Sequence, residues 1–256
     1  MVRAVGMLDL ARVVAASARY EIPEPHPGAR ALARDACRFL GALVRTLQPR
    51  RVLEFGSGFS SVVIARELGR LGSGRLDSID HSPAWSARAR EMARGHGVLD
   101  RVELRAFPLG LRLHDGVPSV FYLVPPDFYG DDRYELVLVD GPGHEVGRDG
   151  ALPEALPRLT VPGWVVLDDG RAEHVQRALA RWKARFGPAL RWSDCVELGN
   201  GIVLAEKVAE PAPGARLGPG PRIGAWLRAG RNLVRVERLG LNRDRVDRLA
   251  APGGPA

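Results

Sequence analysis

At 256 residues, with 45% hydrophobic and 26% charged positions, the chain has the length and composition of one globular domain with a full core and room for an appendage. Its two cysteines, Cys37 and Cys195, exclude a disulfide framework and, read as two buried thiols, suit a reduced cytoplasmic protein; no apolar run reaches the length of a membrane span, and Asp9 and Arg12 interrupt the N-terminal apolar stretch that a signal peptide would keep continuous. The formal net charge of +7 would suggest an anionic partner were it spread over the fold, but after Glu210 nine arginines face only Glu237, Asp244 and Asp247, so the basic character belongs to the tail.

Apolar residues at helical spacing predict helices over 7–18 and 28–47, the second through Leu32, Ala36, Phe39 or Leu40, Leu43 and Leu47. Pro23, Pro25 and Pro27 force an extended break between them, which sets off residues 1–27 as an N-terminal helix and Pro-rich break. From Arg51 onward, short apolar runs ending in Gly or Asp alternate with helical stretches, the pattern of βα units around a parallel sheet. Strands are expected at 51–55, 75–79, 101–106, 135–139, 164–167, 190–197 and 201–207. Only Leu198-Gly199-Asn200 separates the last two, which therefore form an antiparallel hairpin, while the earlier connections are long enough for right-handed crossovers.

Residues 107–133 read as an irregular insertion whose Phe121, Tyr122, Phe128 and Tyr129 suit a lid or a substrate wall. The Pro/Gly-rich run that starts at Pro211 reads as a linker closing a domain of residues 28–210, so removing everything after Pro211 is expected to leave ligand binding by that domain intact. Within the 211–256 tail, Ile223, Trp226, Leu227, Leu233 and Val234 fall at helical spacing with most arginines elsewhere on the wheel, predicting a basic amphipathic helix broken at Gly240. Three readings of it compete: packing on the body or on a second subunit, adsorption to an anionic membrane, and contact with nucleic-acid phosphate.

Residues 51–61 run through a strand, a tight turn at Gly56-Ser57-Gly58 and the opening of a helix. Glycines let a ligand approach the backbone and a helix N-terminus offers unpaired N–H groups, so the turn suits a polar or anionic ligand. Asp80 ends the next strand, in Asp77-Ser78-Ile79-Asp80-His81, where a carboxylate can accept hydrogen bonds from two ribose hydroxyls.

Glu-Phe-Gly-Ser-Gly at the first strand, Asp80 at the second, Val-Asp-Gly-Pro at the fourth and Leu-Asp-Asp-Gly at the fifth resemble the class I S-adenosylmethionine-dependent methyltransferases, over roughly residues 28–208. The resemblance implies an α/β fold: a Rossmann-like sheet of seven strands in the order 3-2-1-4-5-7-6, strand 7 antiparallel, with helices on both faces. It places Glu54, Gly56, Ser57, Gly58 and Asp80, with the adjoining His81, at positions that bind S-adenosyl-L-methionine, the turn amides and Ser57 facing the methionine carboxylate. The third strand departs from the pattern, because Phe107-Pro108-Leu109 offers no Asp for the adenine.

Asp140 after the fourth strand and Asp168-Asp169 after the fifth would emerge together at the C-terminal edge of the sheet, and three close carboxylates repel unless a cation or proton relieves them. Such oxygen ligands suit Mg²⁺. The arrangement is similar to that of metal-dependent O-methyltransferases of the catechol and sugar-modifying types, which implies Asp140, Asp168 and Asp169 as metal ligands; the alternative is that Asp140 only lines the pocket and one of the pair caps the next helix. For the proton of a hydroxyl acceptor, His144 is the first candidate base, with Asp140 beside it and His174 as a second, while Arg148 and Asp149 on the same loop could orient a polar substrate or form a surface ion pair.

The expected function is O-methylation of a small polar acceptor, a sugar or a phenol, with Mg²⁺ assistance. A non-catalytic Rossmann-like protein holding an acidic partner on its basic tail is the alternative, with a homo-oligomer formed through the tail compatible with either. An NAD-dependent oxidoreductase is disfavoured, because Ser61 stands where the third glycine of a dinucleotide fingerprint would be.

Overall fold

The computed structural model describes residues 8–28, 31–131, 133–211 and 219–243. Its strands are β1 (Arg51–Phe55), β2 (Arg75–Asp80), β3 (Val102–Ala106), β4 (Leu109–His114), β5 (Val117–Tyr122), β6 (Tyr134–Val139), β7 (Leu159–Leu167), β8 (Leu190–Trp192) and β9 (Val203–Lys207). The helices are α1 (Leu10–Ser17), α2 (Arg34–Leu47), α3 (Phe59–Arg70), α4 (Pro83–Gly95), α5 (Pro126–Tyr129), α6 (Ala151–Ala155), α7 (Glu173–Phe186) and α8 (Pro219–Leu239). Seven strands form one sheet in the order β3-β2-β1-β6-β7-β9-β8, in which β9 runs antiparallel to both β7 and β8. With β4 and β5 counted apart, this is the order 3-2-1-4-5-7-6.

Near-continuous apolar runs such as Val52-Leu53 and Leu136 to Val139 are what a parallel sheet covered on both faces requires. Alternation then sorts their side chains. Val52, Leu136 and Leu138 pack on one face against Phe39 and Leu43 of α2 and Val62 and Val63 of α3, whereas Leu53, Val137 and Val139 pack on the other against Leu152 of α6 and Leu179 and Trp182 of α7. The N-terminal segment is pinned to the first face by Tyr20, whose hydroxyl donates to Glu67 Oε1 at 2.7 Å and whose ring occupies the space a side chain at Gly41 would need.

The structure corrects the sequence reading in three places. Residues 109–122 of the expected insertion are not irregular: β4 and β5 form an antiparallel hairpin turning at Asp115 and Gly116, both left-handed with φ of 53° and 72°. An Asp-Gly pair flanked by Leu109, Leu111 and Leu113 in alternation is the sequence signal for this turn. The hairpin is anchored by Glu154 of α6, which is fully buried and accepts from Arg112 at 2.9 Å and from His114 at 2.7 Å. Burial would raise that carboxyl, but His114, Arg112 and Arg158 outweigh it and hold it down at about 2. The insertion is thus a fixed wall.

The second correction concerns the final hairpin, where β8 stops at Trp192 and only the Val196–Ile202 bridge continues the pairing, leaving Cys195 exposed while Cys37 is buried. The third concerns the tail. Residues 212–218 of the expected linker lie outside the described residues, but Pro219 to Pro221 already belong to the first turn of α8, where a missing N–H costs nothing. Ala225, Ala229, Asn232 and Val236 are buried as α8 packs on the β4–β5 hairpin, and Asn232 donates to the Val146 carbonyl at 2.6 Å. Packing on the body therefore accounts for one face of the tail helix, while Ile223, Trp226, Leu227 and Val234 stay exposed. Among the described residues no helix is long and apolar enough to cross a membrane.

Candidate active site

Because β1, β2, β6 and β7 are parallel, their C-terminal ends meet at one edge of the sheet, where an open α/β sheet forms its ligand crevice. The crevice here measures about 380 Å³, within the range of small-ligand pockets, and is lined by the turn from Gly56 to Ser60, by Asp80, His81, Ser82 and Trp85, and by Asp140. Leu32 closes it from the N-terminal side and Gly240, Leu241 and Arg243 from the C-terminal side.

The two glycines of the turn act differently. Gly56 sits at φ 99°, and a Cβ there would lie 2.7 Å from the Asp140 backbone, so only glycine lets the turn lie against the end of β6. Gly58 would meet nothing within 4 Å. Its missing side chain serves no neighbour in the protein and leaves space in the crevice.

Beneath the turn, Glu54 is fully buried and accepts from Ser60 at 2.5 Å, Ser78 at 2.5 Å and Ser61. Burial pushes its carboxyl up to about 7 even though the three hydroxyls oppose the shift. Glu54 itself does not line the crevice. It organises the turn from below by fixing the start of α3 to β2. Ser57 lines the crevice, and its hydroxyl pairs with Ser78 Oγ at 2.8 Å.

The Gly56, Ser57 and Gly58 amides are also committed within the protein, to the Ile79 carbonyl, Asp80 Oδ2 and Ser61 Oγ respectively. Asp80 bridges the turn and α4 by accepting from Ser57 N at 3.2 Å and Ser82 N at 2.9 Å. Burial raises its carboxyl, while His81 and these backbone N–H groups act against the shift. His81 Nδ1 lies 3.3 Å from Asp80 Oδ1 yet makes no hydrogen bond, and the Tyr122 hydroxyl, against Gly141, is likewise buried without a partner. Buried polar atoms without partners at the wall of a crevice are the groups a ligand can satisfy.

Tyr122, Trp85 and Arg243 carry no spacing signal in the sequence. Tyr122 reaches the site only because the hairpin folds back so that its ring stacks on Phe55. Trp85 gets there through the Ser82 cap of α4, its Nε1 donating to the Ser57 carbonyl at 2.5 Å. Arg243 follows α8, whose end is fastened by Asn242: its side chain accepts from Leu109 N at 2.8 Å and donates to Leu109 O at 2.9 Å.

On the β6–β7 side, Asp140, Asp168 and Asp169 gather as expected, with one oxygen of each within 4.8 Å of the others. What the sequence did not show is that Arg148 is already among them. Far from being a surface ion pair, its side chain is 2% exposed; Nη2 lies 3.0 Å from Asp140 Oδ1 and 2.6 Å from Asp169 Oδ2, and Nη1 donates to the Val139 and Asp168 carbonyls. Asn200 donates to the other Asp169 oxygen at 3.1 Å. A divalent ion needs those carboxylate oxygens free, so with Arg148 in place the cluster does not fit one. Burial lifts Asp140 well above the ordinary carboxylate range, Asp168 and Asp169 adding to the shift and Arg148 opposing it. His144 is 78% exposed and does not line the crevice, its ring 6.3 Å from that of His174.

The sheet order, with a glycine turn and Asp80 at its ligand edge, is that of the Rossmann-like methyltransferase fold. Residues 53–170 match the family model described as a methyltransferase domain. The catechol O-methyltransferase of Mycobacterium tuberculosis is 36% identical over 101 residues, 39% of this chain and 43% of that protein, so the match spans less than half of the relative's length. A methyltransferase from Geobacter sulfurreducens superposes with a TM-score of 0.54 at 21% identity, covering 73% of this chain and 91% of that one. An O-methyltransferase from Streptomyces achromogenes involved in tomaymycin synthesis, solved with S-adenosylmethionine, gives a TM-score of 0.51 at 19% identity over 78% of this chain and 89% of its own. At these identities the two structures speak for the fold.

Proposed function

We propose that the protein is an S-adenosylmethionine-dependent O-methyltransferase acting on a small polar acceptor such as a sugar or a phenol. The observation that carries this reading is the crevice itself: a glycine turn that leaves space above it at Gly58, walled by Asp80 and by His81, whose buried Nδ1 has no partner. In this reading Asp80 takes the ribose hydroxyls and the turn from Gly56 to Gly58 carries the methionine end. The catechol O-methyltransferase relative is in keeping with O-methylation, and the structure solved with S-adenosylmethionine shares the fold.

Methyl transfer is an in-line displacement that needs a held nucleophile and, for a hydroxyl, a group to take its proton. Of the two candidates, Asp140 is favoured over His144 because it lines the crevice, whereas His144 is exposed outside it. Mg²⁺ assistance through Asp140, Asp168 and Asp169 would require Arg148 to leave, so no step is assigned to a metal.

The scaffold alternative, with the basic tail holding an acidic partner, loses support because the end of that tail completes the crevice. Calorimetric titration of the full chain with S-adenosylhomocysteine tests the reading. Saturable one-to-one binding is expected, followed by transfer of labelled methyl to members of a catechol and sugar panel. Absence of binding ends it.

A further inference from the structure

We infer that Arg148 is a built-in cation which holds the Asp140–Asp168–Asp169 cluster together and keeps divalent metal out of it. The inference rests on the methyltransferase reading only for what the cluster serves. The charge argument stands on the geometry alone.

Three acidic groups with oxygens within 4.8 Å of one another need a compensating charge. One guanidinium supplies it here. Its Nη2 joins Asp140 at the end of β6 to Asp169 beyond β7, and its Nη1 donates to the carbonyls of Val139 and Asp168 at the same two strand ends. A guanidinium keeps its proton at any working pH, so this charge is permanent in a way that a bound ion is not.

Arg148 and a divalent ion would compete for the same oxygens, and their like charges would repel at that distance. Mg²⁺ takes carboxylate oxygens at about 2.0–2.1 Å in a near-octahedral shell. Asp140 Oδ1 and Asp169 Oδ2 each accept from Nη2 and Asp169 Oδ1 accepts from Asn200, so three of the six carboxylate oxygens of the cluster are already engaged, both of those on Asp169 among them.

Nor can Arg148 swing aside easily. Its loop is clamped from α7, where Arg181 pairs with Asp149 at 2.5 Å and Trp182 donates to the Asp149 carbonyl, and from α8, where Asn232 holds Val146. Gly150 lies so close to Phe121 that a Cβ there would be 2.6 Å from the Phe121 Cβ, which fixes the far end of the loop. Asp169, at φ 59°, is held in a left-handed conformation that presents its carboxylate to the guanidinium.

Mn²⁺ serves as a spectroscopic probe for a divalent site. Titrated into the full-length wild-type chain and followed by electron paramagnetic resonance, it is expected to show no stoichiometric binding up to millimolar concentration, and S-adenosylhomocysteine affinity is expected to be the same in EDTA and in Mg²⁺. Arg148→Gln, which frees the carboxylates, is expected to gain one Mn²⁺ site at least about tenfold tighter than any in the wild type. Arg148→Lys, which restores a cation, is expected to lose that site again. A purely structural role for Arg148 would create no metal site in the glutamine variant.

One tightly bound Mn²⁺ in the wild type, abolished by Asp169→Asn, overturns the inference, as does a folded Arg148→Gln protein that gains none. Should that variant fail to fold, the wild-type titration decides alone. Failure of S-adenosylhomocysteine to bind the wild type would instead remove the methyltransferase reading and leave metal exclusion standing.

Discussion

The two halves of the crevice solve opposite problems. On the β1–β2 side the chain leaves things open: Gly58 withholds a side chain, and His81 Nδ1 and the Tyr122 hydroxyl lack partners. On the β6–β7 side it closes them: the carboxylates of Asp140 and Asp169 pair with one buried arginine, which also donates to the Asp168 carbonyl. Unsatisfied polar atoms are tolerable where a ligand will complete them, whereas clustered charge must be balanced whether or not a ligand is present. The ready half thus reads as a binding surface and the balanced half as part of the frame that positions what binds.

The largest effect is expected from breaking the balanced half. Arg148→Ala strands three acidic groups around a buried gap, and removing one partner of a buried ion pair costs about 3–5 kcal/mol. Urea unfolding should show a loss of that size, and a loss below about 1 kcal/mol would mean the cluster is solvated and the contrast between the halves is wrong.

The open half should respond in binding and not in stability. The Cβ of Gly58→Ala meets no neighbour within 4 Å, so the melting temperature should stay put while S-adenosylhomocysteine affinity falls at least about tenfold. An unchanged affinity would place the ligand elsewhere.

A smaller effect tests what lies beneath the turn. The Glu54 carboxyl is raised to about 7 from an ordinary 4.5, so the folded state holds a proton that the unfolded chain has released. Its contribution to stability is complete below pH 4.5 and is lost as pH climbs through about 7, with a slope of up to about 1.4 kcal/mol per pH unit. Glu54→Gln lacks that slope, so the stability difference between wild type and variant should move in the variant's favour across the same window. Glu154 provides the opposite sign. Held down at about 2 chiefly by His114 and Arg112 against its burial, it stabilises above 4.5 and loses that contribution as pH falls through 2. Glu154→Gln should therefore cost stability at neutral pH and cost little near pH 2. Parallel slopes for the two variants would show that hydroxyls and cations are not distinguished around the two buried carboxylates.

Much of the frame was legible in the sequence because its signals are local. Apolar runs ending in Gly or Asp identify strands that stop at one edge of a sheet, and the three-residue gap before the last strand dictates an antiparallel close. Gly56, Gly58, Asp80 and Asp140 come to the crevice because a motif at a strand end travels with the strand. The hairpin was missed although its Asp-Gly turn was in plain view, because Pro108 and Pro118 make the flanking runs look irregular.

The sequence by itself determined the strands, the antiparallel close and which turns end at the ligand edge, since hydrophobic period and turn chemistry are properties of short segments, while the strand order followed from the resemblance to the methyltransferases. Only the tertiary structure decided which polar groups face inward. Glu54 lies under the turn because Ser78 of the neighbouring strand lies there; Arg148 enters the carboxylate cluster because α7 and α8 clamp its loop; and Leu241 and Arg243, beyond an apparent linker, close the crevice because α8 packs on the hairpin. Each depends on partners more than twenty residues away in the chain, and no periodicity reports a partner at that distance.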